Sequence, residues 1–357
     1  MSLRVCLVAS ARYPIREPFA GGLEAQTHAL ARELVAAGHR VSVFAAPGSD
    51  PALDVRELDV PTFRASAVAE ADVHAPTREW MAEHHAYLSL MLDLQDRLAG
   101  DFDVVHNNSL HHLPVAMAAA LPMPVVTTLH TPPLPWLESA LALRPGGTFV
   151  AVSDTTRELW RDVVPSRTIR NGVDTRRWRP GPGGAEAVWS GRITAEKAPH
   201  EAIDAARLAG LRLRLVGPVS DPDYFRREVA PRLGDDVEHV GHLRHDELAD
   251  LVGRSCVAFV TPAWDEPYGL VAAEAMACGT PVAAYARGAL PEVVPPEAGR
   301  LATPGDPADL ARAACEARGL PRAQVRGVAV EHCSLERMVA EYVDVYSGLV
   351  THLGRAA

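Results

Sequence analysis

The feature that most restricts this chain is one pattern that runs twice. Short apolar, β-branched stretches alternate with segments of helical periodicity up to about residue 170; a run rich in Pro and Gly interrupts the alternation, which then starts again. The strand-like stretches are 3–9, 41–45, 104–106, 125–129 and 148–152 before the break, and 187–190, 211–216, 237–240, 257–261 and 281–285 after it. Between them, Leu23, Leu30 and Leu34 share one face of a helix expected over 23–37, which stops at Gly38. Longer helices are expected over 77–98 and 335–349, and Ser153 and Asp154 stand where they can cap the helix after 148–152. Alternation of this kind predicts an α/β fold, a doubly wound parallel sheet in each half. The run Arg179-Pro-Gly-Pro-Gly-Gly184 reads as the hinge between the halves. A length of 357 residues fits two hydrophobic cores better than one.

Bulk properties narrow the function. The net charge of −10 argues against a general nucleic-acid binder, which concentrates Lys and Arg on one face. The five cysteines (Cys6, Cys256, Cys278, Cys315, Cys333) are odd in number and none has CxxC spacing, which favours reduced thiols and a cytoplasmic location over a disulfide framework or a zinc site. The apolar stretch at 3–9 has strand length, and the one at 113–126 is broken by Pro114, Pro122 and Pro124, so no membrane span is expected. Nor does any amphipathic pattern support association with a membrane surface.

One compositional fact is sharper. Among 35 basic residues there is a single lysine, Lys197. Arginine replaces lysine where charge and reach suffice, but a compact ammonium is not equivalent to a guanidinium where the fit is tight. Lys197 falls in Gly191-Arg192-Ile-Thr-Ala-Glu-Lys197, directly after the first strand of the second half. Ligands of open α/β sheets bind beyond the carboxyl ends of the strands, so Arg192 and Lys197 are placed to clamp a diphosphate. Glu266-Pro-Tyr-Gly269-Leu-Val-Ala-Ala-Glu274-Ala-Met-Ala-Cys-Gly279-Thr-Pro281 joins another strand end to a helix whose first N–H groups are unspent. Glu274 lies on that apolar helix and needs a partner, either a nearby Arg or the hydroxyls of a sugar or ribose. In the first half, Gly21-Gly22 opens a helix and lets a ligand approach the backbone, without the GxGxxG of a dinucleotide fold.

Together these motifs resemble the retaining glycosyltransferases of family 4, over most of the chain, from Leu3 to about Val350. Glu266 and Glu274 match that family's E-x7-E motif, Gly191-Arg192 with Lys197 its GR…K motif, Gly21-Gly22 its N-terminal glycine loop, and Asn171-Gly172-Val173-Asp174 its segment at the domain crossover. The resemblance implies a GT-B fold: two facing Rossmann-like domains with an interdomain cleft, an acceptor-side domain at 1–172, a nucleotide-sugar domain at 173–334, and a C-terminal helix at 335–357 crossing back onto the first. It implies that Arg192 and Lys197 bind the diphosphate of the sugar donor, that Glu274 binds the ribose, and that Glu266 contacts the transferred sugar with the backbone N–H groups of Tyr268, Gly269 and Leu270. Gly22 would admit phosphate or acceptor, His130 would position the sugar, and Gly241 and His242 fall at the nucleobase pocket. The donor would be a nucleotide diphosphate-sugar and the acceptor a small molecule, lipid or glycan, with no cofactor and no metal. Two departures stand out: Ala198 follows the motif lysine where the family often has Gly, and an H-x-H pattern is replaced by His106-Asn-Asn-Ser-Leu-His111-His112.

Other readings weigh less. Asp101-Phe-Asp103 leads straight into a strand and is read as its approach rather than as a metal ligand pair, and Asp221-Pro-Asp223 as a helix cap. Neither His84-His85 nor His111-His112 has a third ligand at zinc spacing. A nucleotide-sugar epimerase or a non-catalytic nucleotide-sugar binder of the same fold is the alternative. Acceptor choice is expected to lie in loops 11–21, 61–80 and 131–147, which carry Arg12, Tyr13, Arg16, Trp80 and Trp136.

Overall fold

The computed structural model describes residues 2–58, 60, 63–143 and 146–356, with side chains through His352. Positions 61, 62, 144 and 145 of the expected acceptor loops lie outside the described residues. The chain divides into two units: residues 1–151, 157–169 and 339–357 form the first, and residues 152–156 and 170–338 the second.

The first unit is built on a seven-stranded sheet, β1 (Arg4–Val8), β2 (Arg40–Ala45), β3 (Val55–Glu57), β4 (Val104–Asn107), β5 (Val125–Leu129), β6 (Thr148–Ala151) and β7 (Arg167–Thr168), in the order β3-β2-β1-β4-β5-β6-β7. The second has six strands, β8 (Ala187–Ser190), β9 (Leu213–Val216), β10 (Val237–Gly241), β11 (Val257–Val260), β12 (Val282–Tyr285) and β13 (Gly299–Ala302), in the order β10-β9-β8-β11-β12-β13. The pairings in both sheets are parallel. Strands such as Val257–Val260 and Val282–Tyr285 are buried at every position, as helices on both faces require. Strand order reverses between β1 and β4 in one sheet and between β8 and β11 in the other, and a doubly wound sheet offers its ligand crevice at that point.

Several expectations change. The strand at Gly299–Ala302 and the helices Pro307–Ala317 and Arg322–His332 carry polar residues that masked them in the sequence. The Pro/Gly run is not a free hinge: Gly183 N–H donates to the Gly253 carbonyl (2.9 Å), and a Cβ on Gly181 or Gly184 would come within 2.2 Å of the Gly253 or Arg254 carbonyl oxygen. Its glycines serve close packing inside the second unit, where Arg322 donates to the carbonyls of Gly181, Ser255, Gly253 and Cys278. Gly172 acts likewise, since a Cβ there would lie 2.6 Å from the Ser334 carbonyl oxygen, while Val173 exchanges hydrogen bonds with Cys333 and Leu335.

Asp103 holds the backbone N–H (2.7 Å) and guanidinium of Arg4, and Asp221 caps Tyr224 (2.9 Å), so both act structurally as expected. Ser153 caps its helix through the Thr156 N–H (2.9 Å), and Glu292 supplements it at the N–H groups of Asp154 and Thr155. Among the described residues, no helix is long and apolar enough to cross a membrane.

Candidate functional site

In the second unit, the loops that leave β8 and β11 carry Lys197 and Glu266, and the fold joins them. Lys197 Nζ lies 2.5 Å from Glu266 Oε2 and 5.4 Å from the centre of the Trp264 ring, whose indole N–H donates to the same carboxylate oxygen (3.1 Å). Sequence reasoning did not single out Trp264; its value lies in facing a cation with its ring and a carboxylate with its N–H. The lysine loop is tied to the end of β11 by Thr261, whose hydroxyl sits 3.0 and 3.1 Å from the carbonyls of Lys197 and Ala198 and accepts the Trp189 indole N–H (3.0 Å). That geometry puts Ala198 in the left-handed region (φ 44°, ψ 51°), which explains why glycine suits this position.

Glu266 is fixed through its backbone. Its carbonyl accepts the Ala289 N–H (2.8 Å), and Gly288 passes so close that a Cβ would lie 2.3 Å from the Glu266 nitrogen. Arg192 is more exposed, its Nη2 3.6 Å from Glu196, so it is held only loosely by the protein.

The helix Leu270–Ala277 follows. Ala272, Ala273, Ala275, Met276 and Ala277 are all buried, as in a helix packed on nearly every side. Glu274 is its single charged residue. Among the described residues no side chain hydrogen-bonds or ion-pairs with Glu274, and burial raises its pKa from 4.5 to about 7. The pairing with an arginine, open in the sequence, is therefore absent there. The N–H groups of Tyr268, Gly269 and Leu270 also donate to no acceptor among the described residues. The Tyr268 ring itself is core: it is 3% exposed and burial lifts its hydroxyl pKa well above the usual range. At the end of β10, Gly241 (φ 95°) accepts the Gly217 N–H (2.9 Å) and His242 is exposed.

The first unit assembles a different set. Exposed Gly22 begins the helix Gly22–Ala36, capped by Gly21 without a side-chain bond. Gln26 and Thr27 from its second turn accept from Asn108 Nδ2 (3.2 and 3.4 Å), and Asn108 Oδ1 lies 3.1 Å from His130 Nε2 at the end of β5. Asn108 is thus the link between the glycine helix and His130, and no local spacing announced it. Burial lowers the His130 pKa to about 3, so its ring is neutral.

His106 is fully buried; its ring nitrogens meet Thr128 Oγ1 (2.7 Å) and the Tyr346 hydroxyl (2.6 Å), and the Tyr342 ring lies tilted against it with centres 4.8 Å apart. It fastens the C-terminal helix to the first sheet. His84, finally, comes to lie beside His111 and His112, so the missing third partner is supplied by the fold.

Residues 20–177 match the family model described as Glycosyltransferase Family 4, and residues 176–317 that described as Glycosyl transferases group 1. The glycogen synthase of Mycobacterium tuberculosis is 32% identical over 338 residues, covering 82% of this chain and 81% of that protein. The MMP alpha-(1->4)-mannosyltransferase of Mycolicibacterium hassiacum is 28% identical over 403 residues, covering 93% and 96%. The crystal structure of Anabaena HepE in complex with UDP-glucose superposes with a TM-score of 0.75 at 18% identity over 97% of this chain and all of that one, a likeness of fold.

Proposed function

The chain belongs to the family 4 glycosyltransferases, with the two Rossmann-like sheets of the GT-B fold, and from that premise we propose that it moves a hexose or amino sugar from a nucleotide diphosphate-sugar to an acceptor hydroxyl, with retention of anomeric configuration and without a metal at the diphosphate. The observation that carries the reading is Glu274: a half-buried carboxyl whose desolvation is offset by no protein partner, for which a ribose diol supplies two hydroxyl donors.

The remaining roles follow from charge. Arg192 and Lys197 neutralise the diphosphate as it leaves, a form of transition-state stabilisation that grows with the departing charge. Before the donor binds, Lys197 is occupied by Glu266. An incoming diphosphate competes for the ammonium, and Glu266 is then available to accept from the hydroxyls of the transferred sugar. The N–H groups of Tyr268, Gly269 and Leu270, at the start of the Leu270–Ala277 helix, complete the anion site. Gly241 and His242 flank the nucleobase. On the first unit, Gly22 admits the acceptor side and neutral His130, held by Asn108, donates or accepts at the sugar without adding a charge. Acceptor chemistry is assigned to the segments bearing Tyr13, Trp80 and Trp136, whose side chains are about half exposed; the expected loops prove partly helical, with Trp80 in the first turn of Arg78–Gln95 and Trp136 in that of Pro135–Leu143.

The test is a transfer assay with UDP-, ADP- and GDP-sugars against α-glucan and mannoside acceptors, read by the anomeric proton signals of the product and repeated in chelator. A product with the donor's anomeric configuration, formed at an unchanged rate in chelator, supports the proposal. An inverted product contradicts retention, and a rate abolished by chelator contradicts the metal-free clamp.

A further inference from the structure

Beside the end of β1 the structure gathers three imidazoles from two elements. His84 comes from the helix Arg78–Gln95, and His111 and His112 from the start of the helix His112–Ala116. One ring nitrogen from each lies within 4.8 Å of the others. The ring centres of His111 and His112 are 4.4 Å apart, and those of His84 are 6.2 and 6.1 Å from the two.

The rings are supported from outside. Trp80 stacks on His84 (5.0 Å, 10°) and Tyr87 on His111 (4.5 Å). The Tyr87 hydroxyl accepts the Ala11 N–H (2.9 Å) and donates to the Ala9 carbonyl (3.0 Å), which ties His111 to the loop leaving β1. His84 Nδ1 is buried with no hydrogen-bond partner. Among the described residues no carboxylate pairs with any of the three, so nothing in the protein rewards their being charged together.

We propose that His84, His111 and His112 form a binding site for one divalent first-row transition-metal ion, such as Zn2+. Imidazole nitrogen suits Zn2+, Cu2+ and Ni2+ and not the hard ions Mg2+ and Ca2+. Three neutral histidines with a position left open is an established coordination number for zinc. Nitrogens bound to one tetrahedral zinc at about 2.0–2.1 Å sit roughly 3.4 Å from one another, so ring rotations bring the present arrangement into coordination. There is a cost. His111 Nδ1 now accepts the Leu113 N–H (3.2 Å), and a neutral ring that coordinates through either nitrogen gives up that bond. The three histidines all lie in the first unit, and the site's existence does not depend on the transferase reading.

The experiment uses the full chain, free of any affinity tag and stripped with chelator, titrated calorimetrically with Zn2+ and, separately, with Co2+ under visible absorption. The site predicts saturation at one Zn2+ per chain and the intense d–d bands of low-coordinate Co2+. His84→Asn and His112→Asn should each weaken Zn2+ binding by at least about tenfold, with the melting midpoint in chelator unchanged. Absence of saturable binding in the wild type, or unaltered binding in both variants, overturns the proposal. Should a variant fail to fold in chelator, the wild-type Co2+ spectrum decides: weak, octahedral-type bands overturn the site.

Discussion

At their switch points the two sheets present opposite chemistry. Where β1 and β4 end, the side chains that meet at Asn108 are uncharged or held neutral: Asn108 bridges Gln26, Thr27 and His130, burial keeps the His130 imidazole unprotonated, and the nearby Arg12 is paired with Glu83. Where β8 and β11 end, the side chains are ionic: Lys197 and Glu266 in contact, Arg192 exposed, and Glu274 half-buried on the next helix. One architecture was thus furnished twice, once with neutral hydrogen-bonding groups that suit a polyol and once with charges that suit a diphosphate. Two equal anion sites would carry cations at both.

Substitutions can break this division or sharpen it. The largest effect is expected at Lys197. Lys197→Ala should lower kcat about 10²–10³-fold, the usual cost of one transition-state charge contact, and Lys197→Arg should restore little, because a planar guanidinium does not replace an ammonium set between Glu266 and Trp264; steady-state kinetics check both.

Glu274 comes next, through stability. Its folded pKa lies above its unfolded one, so the protonated form is favoured in the fold, and wild-type stability falls as pH rises from about 4.5 through about 7. Glu274→Gln should therefore be more stable than wild type at pH 8 by roughly 2–3 kcal/mol, an advantage that disappears below pH 4.5 in denaturant titrations.

In the first unit the sign reverses. His106 is held neutral with its pKa pushed from 6.5 to about 3 by burial, so its contribution is present above 6.5 and is lost as pH falls toward 3. Tyr346→Phe leaves His106 Nδ1 without its partner and should cost about 1–3 kcal/mol at neutral pH, with nucleotide binding unchanged. The smallest effect is at Ala198, where Ala198→Gly relieves a left-handed alanine and should stabilise by at most about 1 kcal/mol, seen as a small rise in melting midpoint.

The strands were readable because parallel sheets buried on both faces leave uninterrupted apolar runs, such as Val257–Val260 and Val125–Leu129. Lys197 stood out because it is the one lysine among 35 basic residues, and the structure sets it against Glu266 and Trp264. Composition failed at 179–184, since glycine accompanies both free turns and tight packing, and only the Gly253 carbonyl against Gly181 tells them apart. Relations between distant residues were also hidden. Asn108 meets Gln26 and His130, and His84 meets His111 and His112, only once the sheet order is known. Trp264 was visible as a residue but not as a partner, because its role depends on the indole reaching Glu266 while the ring faces Lys197.

The central claim, that the sugar donor is held by the charged strand ends of the second unit, is tested most directly by thermal-shift measurements with UDP, ADP and GDP on wild type, Glu274→Ala and His130→Ala. A ligand bound only by the folded state raises the midpoint according to its concentration over its Kd. The account predicts that one nucleotide stabilises wild type and His130→Ala alike and leaves Glu274→Ala unmoved. No shift of the wild type with any of the three at millimolar concentration, or an equal shift in Glu274→Ala, would contradict it.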